Sequence, residues 1–535
     1  MSEEKKSTFL KGAVILGLAG VVVKILGAAF RIPITWIITS EGLGYYQTAY
    51  PIYVLLISIA TSGFPVAISK MVSARRALGD NRGAYRVFKI IFMILLGMGV
   101  ITSTVMLFSA RYIVTVMLQN PKAYLALLML VPAILLVPVM AAFRGYFQGL
   151  NNMNPSAISQ IAEQFARVVF GVGLALIFVP KGLEYGAAGA TFGATAGAVC
   201  GLSVMLYIYY KNKTTRNNEL ENSPVFPREK TADILAELIT IALPIIIGAL
   251  VMPTMNTIDL ALVMRRLVSG GFTHAQANTM YAQLTGIAAT LINLPQVITG
   301  AIAISLVPVI SSAYAVNDLK RTRDNTNLAI RLSLLIGLPC AVGLFVLATP
   351  IIGLLYPNEP SSVGGILAIM SIGVVFLSLI QSFTSVLQGI GKAHIPVLNL
   401  FIGAGVKFIM TYVLTAIPSL NVKGAAISTV VAYIVAAVLD YFSVKKYLGL
   451  KFSARDFLMR PLVTAGIMGI ITRLVYIVIV PVIGNSIATL MAVAVGGVVY
   501  VVTLFITKTI TREDLQDLPK GKNIIGKLEK MKLLK

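Results

Sequence analysis

The chain has 535 residues, 57% hydrophobic and 12% charged, with 44 Lys and Arg against 21 Asp and Glu for a formal net charge of +23. A soluble domain is about a quarter charged and just under half apolar, so this composition excludes the ordinary soluble classes and points to the membrane. A positive excess of this size would suggest nucleic acid in a soluble protein; here its meaning depends on where the cations fall, and no nucleic-acid partner is expected.

Apolar runs long enough to span a bilayer, which takes about 20 residues, recur from end to end. They lie near 8–38, 45–70, 88–110, 123–143, 156–180, 185–210, 232–264, 281–314, 327–349, 362–388, 396–417, 423–444, 459–482 and 485–507. The expected fold is all-α and polytopic, with about fourteen transmembrane helices. The first run is too long for a cleavable signal peptide, carries Lys24 and Arg31, and lacks a small-residue cleavage site.

The first span concentrates the informative residues. Gly17, Gly20, Lys24, Gly27 and Arg31 follow steps of 3, 4, 3 and 4, which puts all five on one helical face. Cations inside a bilayer need a wet cavity or a partner. Two of them with no acid on the face point to an anionic substrate, with Gly27 and Pro33 beside them as hinge candidates. The alternative is that Arg31 snorkels to the outer interface and only Lys24 is buried.

Further along, Glu163 and Arg167 on span five stand at i, i+4 and read as a structural ion pair. Asp259, beyond Pro253 in span seven, could pair with Lys24 or Arg31, or hold a coupling cation or proton. Lys407 on span eleven has no acid near it in sequence, so a cavity role fits it. Pro65, Pro244, Pro253, Pro295 and Pro308 interrupt spans two, seven and eight. With span one, these are read as the gate, because freed carbonyls are tolerated where a cavity is wet.

The loops set orientation. With the amino terminus inside, segments 1–11, 70–89, 144–155, 211–231, 315–331, 389–395, 445–460 and 508–535 hold most of the Lys and Arg, the positive-inside asymmetry. Both termini are then cytoplasmic, and the lysine-rich tail from Arg512 onward is a solvated flank that could also touch anionic lipid.

The two halves of the chain resemble each other. Gln148-Gly149 and Gln388-Gly389 are offset by 240 (388−148), as are Arg167 and Lys407 (407−167), and Gly186-Ala187-Ala188 answers Gly424-Ala425-Ala426. Such repeats mark transporters with a substrate path between bundles. The expected organisation is an N-lobe over 1–211, a cytoplasmic linker over 212–230, a C-lobe over 231–448, two extra helices over 449–510 and a basic tail over 511–535.

Enzymatic readings find little. Cys200 and Cys340 sit in apolar runs, His274 and His394 lack ligand partners at metal spacing, and neither a Walker loop nor a Ser/His/Asp grouping occurs. A transporter without metal or cofactor is expected, apart from a coupling ion such as Na+ or H+.

Four segments carry a family resemblance: LGAAFRIPIT (Leu26 to Thr35), EGLGYYQTAYPIY (Glu41 to Tyr53), SGFPVAISKMVSA (Ser62 to Ala74) and LINLPQVITGAIAISLVPVIS (Leu291 to Ser311). They resemble the stage V sporulation protein B branch of the MurJ-like lipid flippases, within the multidrug/oligosaccharidyl-lipid/polysaccharide exporter superfamily. The resemblance implies two six-helix lobes around a cationic cavity, with the last two helices forming a hydrophobic groove. It implies movement of lipid II, the undecaprenyl-pyrophosphate-linked peptidoglycan precursor, to the outer leaflet of a bacterial plasma membrane by a monomer. Lys24 and Arg31 match the two arginines that such flippases carry in span one. An arginine of span two falls instead near Ile57-Ser58, and an Arg and a Glu of span eight correspond to Thr290 and Asn293. Lys407 and Arg167 are the further head-group candidates. Two rival readings are a cation-coupled multidrug antiporter and an exporter of another lipid-linked polysaccharide.

Overall fold

The computed structural model describes residues 3–449 and 459–507. Its regular elements are helices, with no strand among the described residues. This is the outcome hydrocarbon imposes, since a spanning segment must satisfy its own backbone N–H and C=O groups. The basic tail beyond residue 507 and the segment 450–458 lie outside the described residues.

Among the described residues, twelve helices are long and apolar enough to cross a membrane, and two of them are double. The first, Ile15–Ala77, has 63 residues, about 95 Å as one rod against a hydrocarbon core of about 30 Å. Helix α1 (Glu3–Ser62) is broken at Thr39, whose φ of 55° and ψ of 179° are non-helical. Pro33 stands six residues earlier, within the helix. Beyond Thr39 the chain turns back, so that Phe30 meets Tyr46 with ring centroids 6.3 Å apart. Helix α2 (Phe64–Ala77) continues the returning arm. At the other end of the chain, Arg460–Ile506 breaks at Gly484, φ 76° and ψ 170°, a conformation open to glycine without the Cβ penalty. Its arms also fold together, with the Thr464 and Thr507 hydroxyls 2.9 Å apart. Counted by their arms, two hairpins and ten single helices give fourteen segments among the described residues that are apolar enough to span a bilayer.

The chain packs as two compact units, Met1–Gly286 and Ile287–Lys535. The first contains α3 (Asn81–Tyr112), α4 (Tyr124–Leu128), α5 (Val131–Gly149), α6 (Asn154–Phe178), α7 (Leu183–Lys211), α8 (Lys213–Glu221), α9 (Thr231–Ser269) and α10 (His274–Ala282). This partition by packing differs from the repeat, whose halves meet at the linker, because α9 packs on α1 and α2. At that contact a Cβ on Gly63 would lie 2.5 Å from the Ala242 carbonyl. The units divide inside a π-helical turn, Gln283–Ala288.

Helices α6 and α7 make the closest pairing of the first unit. Gly189, Gly193 and Gly197 recur every fourth residue along α7, and a Cβ on each would lie 2.6 Å from a carbonyl of α6: Leu174, Arg167 and Glu163 respectively. Without a hydrophobic driving force between helices in lipid, such small-residue stripes provide association through backbone contact. They also set the height at which Glu163 and Arg167 leave α6. Gly193→Val is expected to cost about 1–3 kcal/mol, because backbone cannot yield to the added methyls; a lowered unfolding temperature in detergent, with the conserved-volume change Ala190→Ser as control, checks it.

The second unit contains α11 (Ala289–Asn293), α12 (Pro295–Ala315), α13 (Leu319–Val346), α14 (Ala348–Leu355), α15 (Ser362–Gly389), α16 (His394–Leu414), α17 (Val422–Leu448) and α18 (Arg460–Ile506). Pro295 opens α12 at a position where its missing N–H costs nothing. A core of Ile310, Ile330, Leu334, Phe383, Val386 and Val444 joins α12, α13, α15 and α17. The internal repeat is visible in matching interhelical bonds. In the first unit Ser159 Oγ on α6 donates to the Gly201 carbonyl on α7 (3.1 Å). In the second, Asn399, offset by 240 (399−159), donates to the buried Asp440 carboxylate of α17 at 2.8 Å.

Candidate functional site

Arg31 of the first span and Arg167 of span five both act on the returning arm of α1. Tyr46, Tyr50 and Tyr53 stand at i, i+4 and i+7 and form a ladder. Tyr46 stacks on Tyr50 with centroids 5.3 Å apart, and Tyr50 meets Tyr53 at 5.8 Å. Arg167 reaches this ladder from α6: its Nη1 donates to the Tyr50 hydroxyl at 3.3 Å, and its guanidinium carbon lies 5.7 Å from the Tyr50 ring centroid. The Arg167 Nε is buried and has no hydrogen-bond partner. Arg31, from the other arm of α1, acts electrostatically on Tyr46 together with Arg167. Its Nη1 donates to the Thr285 carbonyl at 3.3 Å.

Neither arginine is in an ion pair among the described residues. The expected Glu163–Arg167 pair is a correction. Glu163 Oε2 instead accepts from Arg144 Nη2 of α5 at 2.8 Å, with only 15% and 19% of the two side chains exposed. Residues four apart on a helix differ by about 40° in direction. That is enough here for Glu163 to face α5 while Arg167 faces α1. Arg144 is itself misread from sequence, where it counts as a cation of an inner loop. It lies in the last two turns of α5 and also donates to Ser159 Oγ at 2.8 Å.

The remaining candidates are placed as follows. Lys24 is exposed and lies on the same face of α1 as Arg31, about 10 Å along the axis. A Cβ on Gly17 or Gly20 would meet nothing within 4 Å, while one on Gly27 would touch Gln164 Nε2 at 3.4 Å. The stripe on this face is therefore open at its start and in ordinary contact with α6 near Arg31. Asp259 is half-buried on α9, within electrostatic range of Tyr281. Pro253 is buried within the same helix. Lys407 is half-buried on α16 in the second unit.

One further network escapes the sequence reading. Asn278 of α10, 1% exposed, donates to the Glu41 carbonyl (2.9 Å) and accepts from Asn120 Nδ2 (2.8 Å). Asn120 Nδ2 also donates to Thr48 Oγ1 at 2.9 Å. A Cβ on Gly44 would sit 2.3 Å from the Asn278 amide, which explains the glycine in the Glu41–Tyr53 segment. The tyrosine spacing was a usable signal; the asparagines, far apart in sequence, gave none.

A polytopic helical protein whose apolar helices hold arginines with no ion pair among the described residues, set against a tyrosine ladder, fits the class of membrane transporters. The sequence profile of the polysaccharide biosynthesis protein family matches residues 9–314, and that of the MatE family matches residues 244–413. Stage V sporulation protein B of Bacillus subtilis (strain 168) is 30% identical over 98% of this chain and 99% of its own length. Lipid II flippase MurJ of the same organism is 29% identical over 92% of this chain and 94% of its own. A solved structure of lipid II flippase MurJ in an inward closed conformation shares the fold. Its TM-score is 0.68 at 18% identity, over 92% of this chain and 98% of that one. The chain belongs to the polysaccharide biosynthesis protein family, in the MurJ-like and stage V sporulation protein B group of the multidrug/oligosaccharidyl-lipid/polysaccharide exporter superfamily.

Proposed function

We propose that the protein is a flippase that carries a polyprenyl-pyrophosphate-linked saccharide, with lipid II as the first candidate, from the inner to the outer leaflet of a bacterial plasma membrane. The observation that carries this reading is the arginine pair, Arg31 and Arg167, set against Tyr46 and Tyr50, with Glu163, the acid one turn from Arg167 on α6, already bound to Arg144. A guanidinium without a carboxylate partner keeps its charge and its fork of donors for a phosphate. The tyrosine faces and hydroxyls suit a sugar. Exposing this cluster alternately to the two sides of the membrane would move the head group while the prenyl tail stays in lipid. Lys24, two turns along α1, would meet the head group on its way in. Lys407, the repeat mate of Arg167 on α16, is a further head-group candidate.

On this reading the termini are cytoplasmic, the protein needs no cofactor, and it acts as a monomer. The energy source would be the membrane potential acting on the uncompensated cations, or an ion such as Na+ or H+ held near Asp259. The relatives' names support a lipid-linked cargo; lipid II itself is the narrower claim.

The test is outer-leaflet accessibility of lipid II in cells that depend on this protein. Arg31→Ala is expected to reduce it by about 10-fold or more, and Lys24→Ala by less, at unchanged protein level. Normal accessibility with Arg31→Ala would sink the anion-site claim. The MatE match favours a second reading, a cation-coupled multidrug antiporter. That reading predicts acids lining the first unit's site, and export of cationic dyes that survives Arg31→Ala.

A further inference from the structure

The linker between residues 211 and 231 is bonded to the last turn of α2 and to the start of α3. Arg75 donates from Nε and Nη2 to Glu229 Oε2 at 3.1 and 2.6 Å and from Nη2 to Glu237 Oε2 at 2.8 Å. Arg76 pairs with Glu219 at 3.0 Å, and Ser223 Oγ accepts from the Asn81 N–H. Between turn and linker lies a cavity of about 310 Å3, bounded by Asp80, Arg82, Arg86, Phe226, Arg228 and Glu229, among others.

The charges around this cavity are unbalanced in a specific way. Both of its acids are engaged: Glu229 by Arg75, and Asp80 by the Gly83 N–H at 2.7 Å, at the positive end of α3. Its three arginines outnumber these two acids, and the bonds that Arg82 and Arg86 make go to neutral groups. Arg82 Nε donates to the Leu220 carbonyl at 2.8 Å, and Arg86 donates to the Glu229 carbonyl and Thr231 Oγ1. A carbonyl fixes a guanidinium without cancelling its charge. Arg82, Arg86 and Arg228 form no ion pair among the described residues. Two guanidinium groups are thus held by hydrogen bonds, with a third beside them; Arg82 and Arg228 are exposed and Arg86 half-buried.

We propose that this cavity binds the phosphate of an anionic membrane lipid head group. Phosphate is the ligand class that preorganised guanidinium groups recognise. The lipid source is favoured over free phosphate because large apolar side chains of the lining stand without cover: Val225 is 87% exposed and Phe226 39%, and Leu78, two residues before Asp80 in sequence, is 73% exposed. Apolar side chains next to a cationic pocket match the boundary between head groups and acyl chains. With the topology proposed above, that boundary is the inner leaflet, where anionic lipid is found. A bound lipid would bridge the α2–α3 turn to the linker and hold the linker in its ordered form.

The test uses the purified full-length protein in neutral detergent, titrated with phosphatidylglycerol, phosphatidylcholine or inorganic phosphate, with bound lipid read by native mass spectrometry and stability by thermal unfolding. Phosphatidylglycerol is expected to bind and raise the unfolding temperature, and phosphatidylcholine to do neither. Arg228→Gln and Arg82→Gln should each weaken phosphatidylglycerol retention about five-fold. Should Arg82→Gln fail to fold, Arg228→Gln carries the test, since that exposed side chain holds nothing in the fold. Protection by inorganic phosphate at similar concentration would identify free phosphate as the source and overturn the lipid assignment. Equal retention of the two lipids, or retention unaffected in both variants, would overturn the site. The readout needs no transport, so it stands or falls independently of the flippase reading.

Discussion

Arg167→Ala is expected to reduce movement of the lipid-linked precursor by about 10-fold or more, which corresponds to ~1.4 kcal/mol or above, while leaving the protein folded. The two halves of that expectation come from different neighbours. Transport should fall because the Arg167 guanidinium is charged, faces the Tyr50 ring, and has an Nε with no partner in the fold. Folding should survive because no carboxylate depends on it: Glu163 is held by Arg144. Arg167→Lys should restore part of the activity, since it returns the charge without the bidentate fork. The measurement is flipping of a labelled polyprenyl-pyrophosphate saccharide in proteoliposomes, with detergent thermal unfolding alongside. Loss of activity together with a large fall in unfolding temperature would mean that Arg167 is structural.

Arg144→Ala should behave in the opposite way. Breaking a largely buried ion pair from one side leaves the other charge unpaired, at a cost of about 3–5 kcal/mol. Here the orphan would be Glu163, whose carbonyl is also packed against Gly197 of α7 and which therefore has little room to move towards water. The double change Arg144→Ala with Glu163→Ala removes the stranded charge and should recover much of the loss. A double-mutant cycle on thermal or denaturant unfolding measures the coupling. If instead Arg167 were the partner of Glu163, then Arg167→Ala and not Arg144→Ala would show the large coupling. The two predictions therefore separate a functional arginine from a structural one on either side of the same helix.

Those two arginines also show where sequence reading stops. The i, i+4 spacing of Glu163 and Arg167 is a sound signal on an isolated helix, where neighbours on one face are the only partners available. In the packed protein, α5 and α1 flank α6, and each takes one of the two side chains. Nothing local distinguishes Arg144, three residues before Phe147 at the end of an apolar run, from a loop cation. Its burial follows from Ser159 and Glu163 on a different helix. The linker tells the same story. Its composition reads as a polar crossover, but its Glu219 and Glu229 are partners for Arg76 and Arg75, and this ties it to α2. Part of the positive-inside signal is consequently also structural cement.

The sequence by itself determined the membrane class, the fourteen crossings, the repeat and the family. Each of these is written in composition or in period, and a bilayer leaves the backbone almost no alternative to helices of about 20 residues. It also located most of the cations that matter, because a charge inside an apolar run stands out against its background. Only the tertiary structure decided which of those cations are neutralised. That depends on side chains from helices distant in sequence arriving within about 3 Å, the reach of a hydrogen bond. So Arg144 became a partner of Glu163, while Arg31 and Arg167 remained charged beside the tyrosines.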